Sequence, residues 1–391
     1  MSTLLDALNA ESDEFIAIRR QIHSQPELGF EEHLTSALVA ERLTEYGYRV
    51  HRGLAGTGVI GQLKKGTSPR TLGLRADMDA LPILEKNGFD YASRFPGRMH
   101  ACGHDGHTSM LLAAAKHLAL TPFDGTLNLI FQPAEEGLGG ARRMIEEGLF
   151  ERFPCDQVYA MHNMPGLPQG HFYVRPGPTM ASSTTVTIRL TGKGGHGAMP
   201  HHAADVVVAG SSTVMALQTV VARNVDPLAM AVVTVGAFHA GDAPNVIPET
   251  AELRLSVRSL DPEVDVLLER RIRAIVDAQA ESYGVRAEID YHRRYPVLVN
   301  HPAEAELACA VARDLVGPER VVWNGRQITG SEDFAFMLQK VPGCYLFIGN
   351  GDGDSPGACM VHNPGYDFND ANVAVGAAFW VALVQRVLSV A

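Results

Sequence analysis

Basic residues are in the minority in this chain: 33 Lys and Arg stand against 44 Asp and Glu, a formal net charge of −11. Phosphate backbones are bound by clustered Lys and Arg, so the deficit argues against nucleic acid as a partner. Cysteines number only 5, an odd count without Cys-x-x-Cys spacing. That excludes a disulfide framework and suggests a reducing compartment. No uninterrupted apolar run approaches a membrane span, and the amino terminus lacks the charged-then-apolar pattern of a secretory leader. Low-complexity tracts and tandem repeats are absent as well. What remains is an ordinary globular protein, read as cytoplasmic and without a membrane partner. At 391 residues it is long for one core, and two domains are expected.

One stretch stands out. Met99-His-Ala-Cys-Gly-His-Asp-Gly-His107 packs one thiol and three imidazoles into nine positions, just before an apolar helical segment, Thr108 to Leu120. A thiolate and an imidazole in a short glycine-bearing loop are natural transition-metal ligands. Alone, Cys102 and His104 read more readily as a buried thiol and a surface histidine. Their weight depends on what the rest of the chain supplies.

The periodicity predicts helices over Asp13 to His23 and Glu31 to Tyr46, with Leu34, Leu38 and Leu43 on one face of the second and Gly47 as its C-cap. Strands follow at Val59 to Leu63 and Thr71 to Ala76, the latter ending in Asp77 and Asp79. Thr126 to Phe131 is another strand, running into Pro133-Ala134-Glu135-Glu136, then a helix from Gly140 to Glu147. Gln157 to Met161 forms one more, with His162 directly after it. Strands alternating with helices imply an α/β fold: a mostly parallel sheet with helices on both faces. Ligands of such sheets bind beyond the carboxyl ends of the strands. Asp77, Glu135, Glu136 and His162 all fall there.

Near Met180 the pattern changes. Strands at Ser183 to Leu190, Ala229 to His239, Thr250 to Ser259 and Arg286 to Arg293 alternate with helices at Ala203 to Val221 and Pro262 to Ser282. The first of these helices is expected to turn Val206, Val207, Gly210, Val214, Leu217 and Val221 inward, the second Leu267, Leu268, Ile272 and Ile275. The order β-α-β-β-α-β is the ferredoxin-like motif. It reads as an insertion: residues 1–181 and 295–391 form the catalytic domain, and 182–294 a lid or dimerisation domain. The return segment carries a buried strand at Tyr345 to Ile348 and a last helix from Asn372 to Val390.

The return segment also holds His362. Cys102, His104, Glu136, His162 and His362 together make five ligands, too many for one tetrahedral ion but suited to two ions sharing a bridge. The expected arrangement has Cys102 bridging, Glu136 and His362 on one ion, and His104 and His162 on the other. Such a pair clamps one water and lowers its pKa from ~15.7 towards ~7. Glu135, beside a ligand without being one, is placed to take the water's proton and pass it to a leaving amine.

With these residues in view, the chain resembles, nearly end to end, the amidohydrolase branch of the dinuclear aminoacylase/carboxypeptidase metallohydrolase family. That branch includes hippurate hydrolase and the indoleacetyl–amino acid hydrolases. The resemblance rests on Asp77 to Pro82, Met99 to His107, Gln132 to Gly137, Met161-His162-Asn163, Gly192 to Asp205, Asn245 to Pro248, Ser331 to Phe334 and His362 to Asp370. The wider family usually has His and Asp where this chain has Arg75 and Cys102, a departure typical of the branch. The resemblance implies a hydrolase of N-acyl or N-aroyl amino acids, a small-molecule substrate, and a homodimer or higher oligomer. It implies two divalent metal ions, manganese or zinc first, then cobalt or nickel. It further implies that His196 stabilises the oxyanion, reaching a neighbouring subunit's site. Asn245 and Arg258 are implied to hold the substrate carboxylate, Gly330 to line the pocket, and Asp77 to orient a metal ligand. His23, His107, His201 and His202 are left as structural or surface residues. A dipeptidase or an N-acetyl-diaminopimelate deacetylase on the same scaffold is the alternative. Farther off stand a cysteine amidase with Cys102 as nucleophile and a non-catalytic binding protein.

Overall fold

A computed structural model describes residues 2–390, with side chains from 4 to 390. The chain forms two compact units. One comprises residues 1–177, 299–326 and 333–391; the other comprises 178–298 and 327–332.

The larger unit is built on an eight-stranded sheet. Its centre is the parallel run Gly125–Gln132, Thr71–Asp77, Gln157–Pro165 and Gly343–Gly351. Antiparallel pairing appears on either side, through Gly58–Lys65 and Arg49–Leu54 in one direction and Phe172–Val174 in the other. The central strands are apolar without alternation: every residue of Gly343–Gly351 is buried. This is the signature of a sheet covered on both faces. Helix His104–Leu120 buries nearly its whole circumference, and Asn372–Val387 packs along it.

Two local expectations shift. The strand begun at Gln157 runs on to Pro165, so His162 lies within it rather than after it. The cause is its parallel partner, which keeps pairing through Ile348 with Asn163 and Gly351 with Pro165. In helix His33–Glu45, Leu34 is exposed, and the buried face is carried by Thr35, Ser36, Val39, Ala40 and Leu43.

The smaller unit pairs Ala231–Ala240, Thr250–Ser259, Ser183–Thr191 and Arg286–Tyr295 in that spatial order, all antiparallel. Helices Val206–Asn224 and Pro262–Ser282 cover one face. This is the ferredoxin-like arrangement. The inward stripe of Val206–Asn224 is Val206, Ala209, Gly210, Thr213, Leu217 and Val220; Val207 is exposed, and Val214 and Val221 are half-buried. In Pro262–Ser282 the buried stripe runs through Leu268, Ile272, Val276 and Ala280, with Leu267 and Ile275 only half-buried. Val206–Asn224 is long and apolar enough to cross a membrane by length and composition alone, a test that core helices also pass; its apolar run is broken by Ser211, Ser212, Thr213 and Gln218, and a third of its most apolar stretch is buried.

Candidate metal centre and active site

Everything at the carboxyl ends of the central strands belongs to the larger unit. Strand Thr71–Asp77 delivers Asp77, Gly125–Gln132 leads into Glu135 and Glu136, and Gln157–Pro165 carries His162. The loop before helix His104–Leu120 brings Cys102, and the helix begins at His104 itself. Gly103, at φ +89°, makes that entry possible, because a Cβ there would meet the Asn163 amide and the Tyr366 hydroxyl at 2.3 Å. Asn163 Nδ2 donates to the Cys102 carbonyl at 2.6 Å, and Tyr366 Oη donates to Asn163 Oδ1 at 2.7 Å. His362 is brought back across the molecule by its own N–H, which donates to the Ala101 carbonyl at 2.7 Å. Its backbone sits in the left-handed region, at φ 65°.

Two groups of donor atoms result. Cys102, His104 and His162 offer one atom each, all within 4.8 Å of one another; so do Cys102, Glu136 and His362. The thiol is common to both. Cys102 Sγ lies 3.3 Å from His162 Nε2, and Glu136 Oε1 lies 3.2 Å from His362 Nε2. Glu135 joins His104 and Glu136 in a further group of the same tightness.

The hydrogen bonds aim these donors inward. His162 Nδ1 faces the Asn163 carbonyl at 2.6 Å, which makes it the protonated nitrogen and leaves a lone pair on Nε2. His104 Nδ1 faces Asp79 Oδ1 at 3.2 Å. That leaves His104 Nε2 buried without a hydrogen-bond partner among the described residues. A buried polar atom without a partner is costly, and His104 Nε2 grouped with the Cys102 thiol on one side and the Glu136 carboxylate on the other fits a bound cation. The ionisation balance agrees. Burial lowers the His104 imidazole, but Asp77 and Asp79 outweigh it and hold it at about 10. Burial and the carboxylates of Glu136, Glu135 and Asp77 push the Cys102 thiol well up. Both are marks of excess negative charge in an enclosed space.

Around this centre stand residues the sequence reading left out. Asp79 also accepts from the Glu136 N–H at 2.9 Å. His107, read as structural, is buried and bonds Asp77 Oδ1 at 2.6 Å through Nδ1, while its Nε2 accepts from the Asn163 N–H at 3.0 Å. Asp77 therefore meets His107 directly and stands 3.7 Å from His104 Nε2. Arg75 is a buried cation that donates to Asp77 at 2.7 Å, Gln132 at 2.8 Å and Asp333 at 3.1 Å. The Asp333 N–H donates to Glu135 Oε1 at 3.3 Å. Nothing in the sequence ties His107 to Asp77, 30 positions away, or Arg75 to Asp333, 258 positions away.

Four predicted residues lie in the smaller unit. His196 pairs with Val246 in a short antiparallel bridge, which brings the Gly197 N–H onto the Asn245 carbonyl at 2.8 Å. His196 Nδ1 accepts from the Ala198 N–H at 3.0 Å, so the proton sits on Nε2. Arg258 is half-buried, and its Nη1 donates to Ser331 Oγ at 2.9 Å. The Gly330 carbonyl accepts from the Ala181 N–H at 2.9 Å.

The model of peptidase family M20/M25/M40 matches residues 73–386. The chain is a member of that family. Hippurate hydrolase of Campylobacter jejuni is 46% identical to this M20 protein over 375 residues, 96% of this chain and 97% of that one. The IAA-amino acid hydrolase ILR1-like 4 of Arabidopsis thaliana is 37% identical, across 96% of this chain and 86% of its own. Among solved structures, the YXEP protein of Bacillus subtilis, a dinuclear metal-binding peptidase of the M20 family, superposes with a TM-score of 0.84 at 30% identity. It covers 97% of this chain and 99% of its own. This M20-family protein is a metal-dependent amidohydrolase, an enzyme that acts on amide bonds with two divalent metal ions.

Proposed function

We propose that the enzyme hydrolyses the amide of N-acyl and N-aroyl amino acids of the hippurate type, releasing a carboxylic acid and a free amino acid. The observation that carries this reading is the pair of donor groups sharing Cys102, with the Glu135 carboxylate alongside. Cys102 would be the common ligand of two ions, Glu136 and His362 completing one and His104 and His162 the other. Manganese or zinc suits a donor set mixing thiolate, imidazole and carboxylate, and cobalt or nickel is compatible with it. When bound, two such ions supply a water whose pKa is lowered from ~15.7 towards ~7 and charge that stabilises a developing oxyanion.

The remaining work falls to side chains. Glu135 takes the proton of the attacking water, holds it on its carboxylate and returns it to the leaving nitrogen. The Asp333 N–H on Glu135 Oε1 keeps that carboxylate oriented. Asp77 and Asp79 orient the imidazoles of His107 and His104. His196, with its proton on Nε2, donates to the oxyanion of a neighbouring subunit's substrate, which makes the working enzyme a homodimer. Asn245 and Arg258 hold the substrate carboxylate, the Arg with its fork of donors, and Gly330 lines the pocket. All five cysteines are free thiols, in keeping with a cytoplasmic enzyme.

The test pairs elemental analysis of the purified protein with a panel of hippurate, N-acetyl amino acids, indoleacetyl conjugates, N-acetyl-diaminopimelate and dipeptides. We expect the highest kcat/KM on hippurate-type compounds, loss of activity on chelation, and recovery with Mn²⁺ or Zn²⁺. Dipeptides as the best substrates would overturn the substrate assignment. Activity that survives metal removal would overturn the ligand assignment and favour Cys102 as a nucleophile.

A further inference from the structure

Glu32 is a buried carboxyl group that the hydrolytic reading does not use. It has no exposed surface, and the charged group that bears on it is another carboxylate, Asp79. It stands at the N-cap of helix His33–Glu45, where a carboxylate ordinarily accepts from the first helical N–H groups, yet it makes no such bond. Glu27 performs that task instead, accepting from the Leu34 N–H at 2.9 Å and the Thr35 N–H at 2.9 Å. Glu32 turns inward and bridges two groups: the Thr57 hydroxyl donates to its Oε2 at 2.6 Å, and the Ala134 N–H donates to its Oε1 at 2.8 Å.

Ala134 is the residue immediately before Glu135, and its backbone lies in the left-handed region, at φ 56°. A side-chain-bearing residue stays there only when its surroundings hold it. Three contacts do so. The Glu32 carboxyl takes the N–H, the Gly140 N–H donates to the carbonyl at 2.9 Å, and Gly29 packs directly on the Cα and Cβ. Burial pushes the Glu32 carboxyl up to about 7, against the pull of the Thr57 hydroxyl. With the helix cap supplied by Glu27, this costly buried group is spent on the bridge between Thr57 and Ala134 and on its own N–H.

We propose that Glu32 is a positioning residue: by holding Ala134 in its left-handed conformation it sets the direction in which the Glu135 carboxylate leaves the backbone. The inference rests on the assignment of Glu135 as the proton carrier. It predicts that losing the acceptor misaims Glu135 and slows turnover without loosening substrate or metal.

The experiment measures kcat, KM on hippurate, and metal content per chain for a small set of variants. E32A should lower kcat by ~10–100-fold, the scale of a misplacement near 1 Å, while KM and metal content stay within about twofold. E32Q should recover most of that loss, because its amide oxygen still accepts from Ala134 and its NH₂ can donate to Thr57. A134V, with Glu32 intact, should reproduce the kcat loss, since a β-branched residue is driven out of the left-handed region. A134G placed in E32A should restore part of the rate, glycine having little reason to leave that region. An E32A enzyme with wild-type kcat per metal-loaded molecule would overturn the proposal, as would equal losses in E32A and E32Q. Should E32A not fold, A134V at full rate would overturn it. E135Q separates the two layers: if E135Q is slow while E32A is not, only Glu32 is misassigned, whereas a full-rate E135Q removes the proton-carrier reading itself.

Discussion

His23 illustrates how much of this site's support lies in single buried contacts. Its Nδ1 lies 2.8 Å from Asp105, on the first turn of the helix that begins at His104, and its Nε2 lies 3.2 Å from Glu85. Burial lowers the imidazole, but Asp105 and Glu85 outweigh it and hold it at about 9. The folded value lies above the ordinary 6.5, so the charged ring stabilises the fold. That contribution is complete below about 6.5 and disappears as pH rises through about 9. We expect H23Q to lower stability near pH 6 by on the order of 2–3 kcal/mol. The deficit should shrink as pH approaches 10, followed by denaturant titration at a series of pH values. A deficit independent of pH would show that His23 contributes packing rather than charge. The residue scale is also where the sequence was least informative. Cys102, His104 and Glu136 are recognisable because chemistry-bearing types crowd short motifs. Glu32, Arg75 and Asp79 are ordinary charged residues most of whose partners lie 25 or more positions away along the chain, and only folding reveals what they touch.

Elements were more legible, because apolar runs and periodicity are local. The central strands and their order of alternation with helices follow from runs that are mostly apolar and buried on both faces, with polar residues such as Asp77 and Gln132 gathered at their carboxyl ends. The edge strand Arg49–Leu54 escaped notice because only Leu54 in it is buried and it carries Arg49, His51 and Arg52. Helix Val206–Asn224 was recognised but rotated. With apolar side chains on several faces, Val206, Val207 and Val208 give the pattern no clean stripe, and the fold selects Val206 while exposing the other two. Between elements, Gly106 sets how closely the return segment approaches helix His104–Leu120. A Cβ there would stand 2.3–2.5 Å from ring atoms of Phe368, a buried residue just downstream of His362. G106A gains helix propensity of at most ~1 kcal/mol, less in a first turn. Overpacking against a buried ring costs ~1–3 kcal/mol. The net expectation is a lower denaturation midpoint, and weaker metal retention under dialysis because the displaced segment carries His362. A raised midpoint with full metal content would mean the ring yields freely.

At the scale of the whole molecule, a single copy leaves an apolar surface uncovered in the smaller unit. Strand Ala231–Ala240 forms an open sheet edge, and no residue of it is fully buried. The neighbouring helix exposes Val207, Val208 and Met215, the last at 70%. Open edges and exposed apolar side chains are features that proteins ordinarily cover, in line with the proposed homodimer. If His196 of one subunit serves the metal centre of the other, neither H196A nor E135Q alone can support full turnover. Mixing them and allowing exchange produces heterodimers in which one of the two sites has both residues intact and the other has neither. Random reassortment makes half the dimers mixed, each with one competent site, so activity should rise to about a quarter of the wild-type level. Native mass spectrometry counts the mixed dimers while hippurate turnover is followed. Mixed dimers formed in the expected proportion, with turnover no higher than the average of the parents, would mean that each subunit completes its own site.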